Sequence, residues 1–206
     1  AAQVVGGDYY DFIPFDNKML GIVLGDVSGK GVPAALQMAR LMSDFRYISQ
    51  VDPEPAKVLT QINNTLYERS YRGMFTTAVF CLLDMENRKL CVANGGHPSL
   101  LLKSKNSILE LGSASGTPFG VLPDMQYTQE EHSLEKGDQI LIFTDGVTEP
   151  KNKQQEEFGT GRLKNMFAGH TGSPNEFLQD LENAIKLFIG DAPQFDDLTA
   201  LTLKAL

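Results

Sequence analysis

Cysteine is nearly missing from this chain: Cys81 and Cys91 are the two in 206 residues. They stand in what read as neighbouring strands, where a disulfide is geometrically conceivable. Two buried thiols of an intracellular core are the expected state. The Cys/His pattern that zinc requires is absent too, with only three histidines in the chain. Basic residues are few, 18 Lys and Arg against 26 Asp and Glu, for a net charge of -8. That balance excludes general binding to a nucleic-acid backbone, which rests on clustered Lys and Arg. No apolar run approaches the ~18 residues that suggest a membrane span. No secretory leader is visible, and the chain opens at Ala1-Ala2-Gln3 as though cut from something longer. A cytoplasmic domain without membrane contact is therefore expected. A Gly-x-Ser-x-Gly elbow is lacking, which removes the usual serine hydrolase signal. Low-complexity tracts and solenoid repeats are also absent. What remains is ordinary globular material, 42% hydrophobic and 21% charged. Its length suffices for one domain spanning residues 1–206.

The richest stretch runs from Met19 to Met42, MLGIVLGDVSGKGVPAALQMARLM. An apolar run of strand length, Leu20 to Leu24, meets Asp26 and then turns through Val27-Ser28-Gly29-Lys30-Gly31. Pro33 sits where a helix can begin, because its missing N–H costs nothing in a first turn. Ala35, Leu36, Ala39, Leu41 and Met42 then fall on a helical face, the one expected to turn inward. A phosphate-binding loop is not the reading of Ser-Gly-Lys-Gly. Only three residues separate Gly25 from Gly29, and Gly31 rather than Ser or Thr follows Lys30. A carboxylate between a buried strand and a Gly-rich turn is costly unless a cation or donors meet it. A metal is the expected partner.

Upstream, Gly6-Gly7-Asp8 lets the backbone bend or approach a neighbour. The segment Tyr9 to Leu24 predicts a hairpin that turns at Asp16-Asn17 and sets Asp8 near Asp26. Asp8 could instead only accept hydrogen bonds in a turn. The Gly-Gly-Asp of nucleotide cyclases is another comparison, but Tyr-Tyr-Asp follows here rather than Glu-Phe. Downstream, Pro53 and Pro55 precede a second helix with Val58, Leu59, Ile62 and Leu66 at helical spacing. Strands are expected over Phe75–Leu83, Lys89–Ala93 and Ser99–Lys103. His97, in the turn Asn94-Gly95-Gly96-His97-Pro98, reads as a turn-packed histidine or as a ligand or acid–base group. Ser104 to Asp124 has the composition of a mobile surface loop, either a flap facing substrate or a plain connection. Strands resume at Met125–His132 and Gln139–Phe143, the second ending at Thr144-Asp145-Gly146. Helices are expected over Gly161–Ala168 and Pro174–Ile189. Pro193-Gln194-Phe195-Asp196-Asp197 then leads into a closing strand, Leu198–Leu203.

Asp8, Asp26, Asp145 and Asp196 or Asp197 thus all stand at strand boundaries. Carboxylates gathered in space cannot stay ionised together without cations. Mg²⁺ and Mn²⁺ suit oxygen ligands and keep several waters. Two such ions ~3.5–4 Å apart can stabilise both the attacking and the leaving oxygen of a phosphoryl transfer.

The ordered set VVGGDYYD, GDVSGKGVPAALQM, MFTTAVF, ANGGHPSLL, GTPFGV, FTDGVTE and FDDLT resembles the bacterial SpoIIE/RsbU-type branch of the PPM metal-dependent protein phosphatases. It covers nearly the whole chain. The resemblance implies an α+β fold of two stacked antiparallel sheets flanked by helices on both outer faces. It implies two Mn²⁺ or Mg²⁺ ions, bridged by Asp26, with the carbonyl of Val27 on one of them. Asp8 is similar to the acid of the second metal. Asp145 and Asp196 are similar to ligands of the first, with Asp197 the other acid of that pair. Attack of a metal-bridged water on phosphoserine or phosphothreonine, with no phosphoenzyme, is the implied reaction.

The implied substrate is a phosphorylated anti-sigma-factor antagonist. The implied setting is the output domain of a longer signalling protein. The helices of residues 33–69 are the implied regulatory or dimer surface. Two departures stand out. No arginine sits next to Asp8 to grip phosphate, which leaves Lys30, Arg40 or Arg46 for that charge. The strand expected before VVGGD is mostly missing. A regulatory module that keeps the fold but docks a partner without turnover is the alternative.

Overall fold

The computed structural model describes residues 6–69, 73–105, 107–192 and 196–206. In chain order its elements are β1 (Tyr9–Pro14), β2 (Met19–Val27), α1 (Val32–Val51), α2 (Pro55–Arg69), β3 (Thr76–Asp84), β4 (Lys89–Gly95), β5 (Leu100–Ser104), β6 (Ser107–Leu111), β7 (Gln129–Ser133), β8 (Gln139–Phe143), a 3-10 turn (Asp145–Val147), α3 (Gly159–Gly169), α4 (Pro174–Ile189) and β9 (Ala200–Lys204). The class is α+β, with a five-stranded sheet in the order β1-β2-β3-β4-β7 and a four-stranded sheet in the order β6-β5-β8-β9. Every pairing between these strands is antiparallel. The chain divides into two compact units. One takes the described residues up to Ser99 together with Gly112–Leu134; the other takes Leu100–Leu111 and Glu135–Leu206.

In the unit up to Ser99, β1 alternates buried Tyr9, Asp11 and Ile13 with exposed Tyr10, Phe12 and Pro14, as a strand of period two must. The hairpin expected over Tyr9 to Leu24 is present, with Tyr9 opposite Gly25 and Pro14 opposite Leu20. Tyr9, Ile13, Val23, Ala78, Phe80 and Ala93 form a core with Leu41, Phe45 and Ile48 of α1 and Val58, Leu59, Ile62 and Leu66 of α2. Burying one such Leu, Ile or Phe side chain contributes about 1.5–3 kcal/mol. The second helix therefore packs on the residues its spacing predicts.

The first helix does so only at Leu41. Leu36 is 67% exposed and Met42 40%, while the buried set is Ala34, Leu41, Phe45, Ile48 and Ser49. Of the expected set Leu41 is buried, but Ala35, Leu36, Ala39 and Met42 are not, and the observed row 34-41-45-48 lies one residue, about 100°, from the row 35-39-42. The row carrying Phe45 and Ile48 brings the larger side chains to the core, so it wins.

The expectation of a mobile loop over Ser104–Asp124 also needs correction. Residues Ser107–Leu111 form β6, paired with β5 along its length, and only Leu111 of the five is buried. An edge strand so exposed shows little alternation. Within the first unit, Phe119 is wholly buried and exchanges two backbone hydrogen bonds with Thr76, of 2.7 and 3.2 Å. Asn63 holds the same segment, donating to the Leu122 carbonyl at 2.9 Å and accepting from the Gly120 N–H at 3.1 Å. Cys81 and Cys91 are free thiols. Cys81 pairs with Val92 while Cys91 pairs with Leu82, so the two cysteines point to opposite faces of the sheet.

In the second unit, all five residues of β8 are buried. Leu101, Leu141 and Phe143 meet Leu163 and Phe167 of α3 and Phe177, Leu181 and Ile185 of α4. Helix α4 starts on a capping box: the Ser173 hydroxyl accepts from the Glu176 N–H, and the Glu176 carboxylate accepts from the Ser173 N–H. Residues 193–195, read as the lead-in to the closing strand, and the two valines opening VVGGD lie outside the described residues. No described helix is long and apolar enough to cross a membrane.

Candidate metal centre

Asp26 lies one residue before the end of β2, opposite Thr77 of β3. Beyond it the two strands are closed by a reciprocal pair, the Ser28 N–H donating to the Phe75 carbonyl and the Phe75 N–H to the Ser28 hydroxyl, both at 2.9 Å. The turn that follows delivers the chain into α1, whose first turn carries Pro33. Asp8 directly precedes β1, and since Tyr9 pairs with Gly25, Asp8 and Asp26 flank the same end of the hairpin. Gly7 is what lets them do so. A β-carbon there would stand 2.9 Å from the Val27 carbonyl oxygen, 3.4 Å from Asp26 Oδ1 and 3.8 Å from the Ala34 β-carbon. The hairpin thus brings Asp8, Asp26 and the Val27 carbonyl to one corner, with a bare backbone beside two of those oxygens.

In the second unit, β8 ends at Phe143 and the chain tightens into the turn Asp145–Val147. Thr144 ties this turn to the start of β9. Its N–H donates to the Thr199 carbonyl at 3.0 Å, and its hydroxyl accepts from the Thr199 N–H at 3.2 Å. The Asp145 carbonyl accepts the N–H groups of Thr148 and Glu149, both at 2.8 Å. Burial, and next the charge of Asp196, push the Asp145 carboxyl above its ordinary range. Glu149 is shifted the same way, first by burial and then by Asp145. Asp145, Asp196 and Glu149 therefore form one field of mutually repelling acids. Glu149 was missed in the sequence because nothing local marks it; its place beside Asp145 follows from the turn. Asp197 enters through its backbone: its carbonyl oxygen lies 1.7 Å from where a β-carbon on Gly146 would be, and its N–H donates to Asp196 Oδ1 at 2.9 Å.

The donors present suit a hard divalent cation. Among the described residues no three His, Cys, Asp or Glu side chains form a ready-made cage. The open backbone at Gly7 beside the Val27 and Asp26 oxygens, and the raised carboxyl of Asp145, are the features a cation would use and relieve.

Arg40 and Arg46, considered for phosphate, both make internal contacts. Arg46 forks Asp11 at 2.6 and 2.9 Å. Arg40 donates to the Thr65 carbonyl at 3.2 Å and lies 3.5 Å from Asp44. Lys30 is exposed in the turn after Asp26. His97 is 4% exposed and packed in its turn, its N–H on Asn94 Oδ1 at 2.8 Å and its Nδ1 3.0 Å from the Thr77 hydroxyl.

The same arrangement of elements recurs in the PP2C class of phosphatase folds. The SiaA-PP2C domain of Pseudomonas aeruginosa superposes with a TM-score of 0.87 at 24% identity, over 98% of this chain and 82% of that one. RsbX in complex with magnesium superposes at 0.69 with 18% identity, over 97% and 87%. The chain belongs to the Stage II sporulation protein E (SpoIIE) family, whose pattern matches residues 16–206. Phosphoserine phosphatase RsbU of Bacillus subtilis (strain 168) is 29% identical over 205 residues, which is 98% of this chain. The chain spans 60% of the length of RsbU.

Proposed function

We propose that this chain is a phosphoprotein phosphatase domain that uses two Mn²⁺ or Mg²⁺ ions to hydrolyse phosphoserine or phosphothreonine. The observation that carries it is the corner at Gly7, where the Val27 carbonyl and the Asp26 carboxylate meet a backbone without a side chain. Asp8, Asp26 and Val27 would hold one set of contacts to the ions. Asp145 and Asp196 would hold the other, with Asp197 fixing the loop that carries Asp196. When bound, the ions supply Lewis acidity toward a phosphoryl oxygen and lower the pKa of water. The chain's own part is to aim these carboxylates. Thr144 does so for Asp145 through its bonds to Thr199, and the closed end of β2 and β3 does so for Asp26.

RsbU is named a phosphoserine phosphatase, and the RsbX structure holds magnesium, which supports both the reaction class and the metal. The substrate we assign is a phosphorylated anti-sigma-factor antagonist, met in the cytoplasm by residues 1–206 acting as the output domain of a longer signalling protein. A homodimer through residues 33–69 is supported by the exposed apolar side chains of Leu36, Tyr47 and Val51 along α1. The test is phosphate release from a phosphoserine protein, with and without Mn²⁺, against Asp26→Asn. Equal rates in chelator would sink the reading.

One observation favours a second reading, a binding module without turnover. Arg40 and Arg46, two of the residues considered for gripping phosphate, both hold internal partners, the Thr65 carbonyl and Asp11. Tight metal-independent binding of the phosphoprotein with no release of phosphate would support it.

A further inference from the structure

Asp11 is 8% exposed, and its carboxylate receives four donors. Oδ2 accepts the Tyr9 hydroxyl at 2.8 Å and Arg46 Nε at 2.6 Å. Oδ1 accepts Arg46 Nη2 at 2.9 Å and the Phe12 N–H at 2.9 Å. Three of these bonds reach across the fold or along the strand from side chains. The Tyr9 ring is itself buried and lies 6.3 Å from the Phe45 ring of α1. Arg46 stands one residue beyond Phe45, and its side chain is 60% exposed. The arrangement ties β1 to α1 at two adjacent points of the helix, one apolar and one ionic.

Tyr9 is the residue after Asp8. Whatever fixes the Tyr9 ring and hydroxyl also fixes the backbone from which the Asp8 side chain departs. Helix α1 begins five residues after Val27, and its Ala34 lies against Gly7. The same helix is therefore anchored at its start near the Val27 carbonyl and farther along at Asp11. A bidentate guanidinium–carboxylate contact fixes direction as well as distance, which a lysine cannot match.

We propose that Asp11, Arg46 and Tyr9 are positioning residues for the cation held at Asp8, Asp26 and Val27, an inference that rests on the metal reading above. The ion pair holds β1 and α1 in the register that keeps Asp8 opposite Asp26. Without it the fold persists, on the apolar core of Leu41, Phe45, Ile48 and α2, but the Asp8 corner loosens.

Direct Mn²⁺ binding, by calorimetry and by the electron paramagnetic resonance of free Mn²⁺, tests this on the chain with Arg46→Met, Arg46→Lys and Tyr9→Phe. Arg46→Met alters a largely exposed side chain, and Tyr9→Phe deletes only a hydroxyl, so both should fold. The expected result is Mn²⁺ affinity lower by about tenfold in Arg46→Met, the low end for a residue that orients a ligand. A smaller loss is expected in Tyr9→Phe, and partial recovery in Arg46→Lys. Unaltered affinity alongside a lowered melting temperature would make the network merely structural and overturn the proposal. A chain with its native residues that binds no Mn²⁺ would overturn the metal reading itself.

Discussion

The carbonyl oxygen of Asp197 occupies the space a side chain at Gly146 would need, 1.7 Å from the position of its β-carbon. The obstacle is backbone, tied in turn to Asp196 by the Asp197 N–H. It cannot rotate away as a flexible side chain could. Gly146→Ala must therefore push the Asp196–Asp197 loop off the Asp145 turn. Overpacking of this kind costs about 1–3 kcal/mol. The expected outcome is a lower unfolding midpoint in urea together with loss of most phosphatase activity.

Gly7 offers a gentler version of the same test. An alanine β-carbon would stand 2.9 Å from the Val27 carbonyl oxygen, closer than such atoms approach, so that backbone oxygen must shift, while Asp26 Oδ1 at 3.4 Å stays at ordinary contact. Stability should fall little, by about 1 kcal/mol. The half-saturating Mn²⁺ concentration should rise about 10-fold or more, since ligand geometry is what changes. Metal titration of activity beside thermal melting separates the two effects.

Asp145→Asn should stabilise the metal-free protein while removing its activity. Burial and the Asp196 charge raise the Asp145 carboxyl, so its folded pKa lies above its unfolded one. For an acid so shifted, the associated stability is present at low pH and is lost as pH rises through the folded value. Near neutral pH the metal-free chain therefore carries an unfavourable charge that the amide lacks. A gain of about 2–4 °C, what ~1 kcal/mol yields in a chain of this size, is expected in chelator. Added Mn²⁺ should raise the melting temperature of the unaltered chain but not that of the variant.

Asp11 behaves oppositely. The Arg46 hydrogen bonds, aided by Tyr9, hold its carboxyl below the ordinary carboxylate range against the opposing effect of burial. Its contribution is then fully present above the unfolded pKa, about 3.9, and lost as pH falls through the folded value. The stability difference between the unaltered chain and Arg46→Met should be greatest near neutral pH and should shrink in acid. Urea unfolding at a series of pH values checks this; a gap that widens below about pH 4 contradicts the assignment.

Most elements were legible because local pattern announces them. The hairpin from Tyr9, the spacing of Val58, Leu59, Ile62 and Leu66, and the helical run Pro174–Ile189 each carry their own signal. The same holds for the acids at strand boundaries, Asp26 and Asp145. Strand β6 was not legible, since an exposed edge strand shows little alternation. The inward face of α1 was misplaced because Leu36 and Met42 are as apolar as residues that are buried.

Residue order and period alone determined the succession of strands and helices, the positions of the acids and the family resemblance, because these depend on neighbours a few residues apart. Only the tertiary structure decided that Phe45 rather than Leu36 faces the sheet. It alone brought Arg46 across to Asp11 and pressed Asp197 onto Gly146. Such contacts join residues from 35 to 51 positions apart. They follow from strand register and from which helix face fills the core, and no local pattern encodes either.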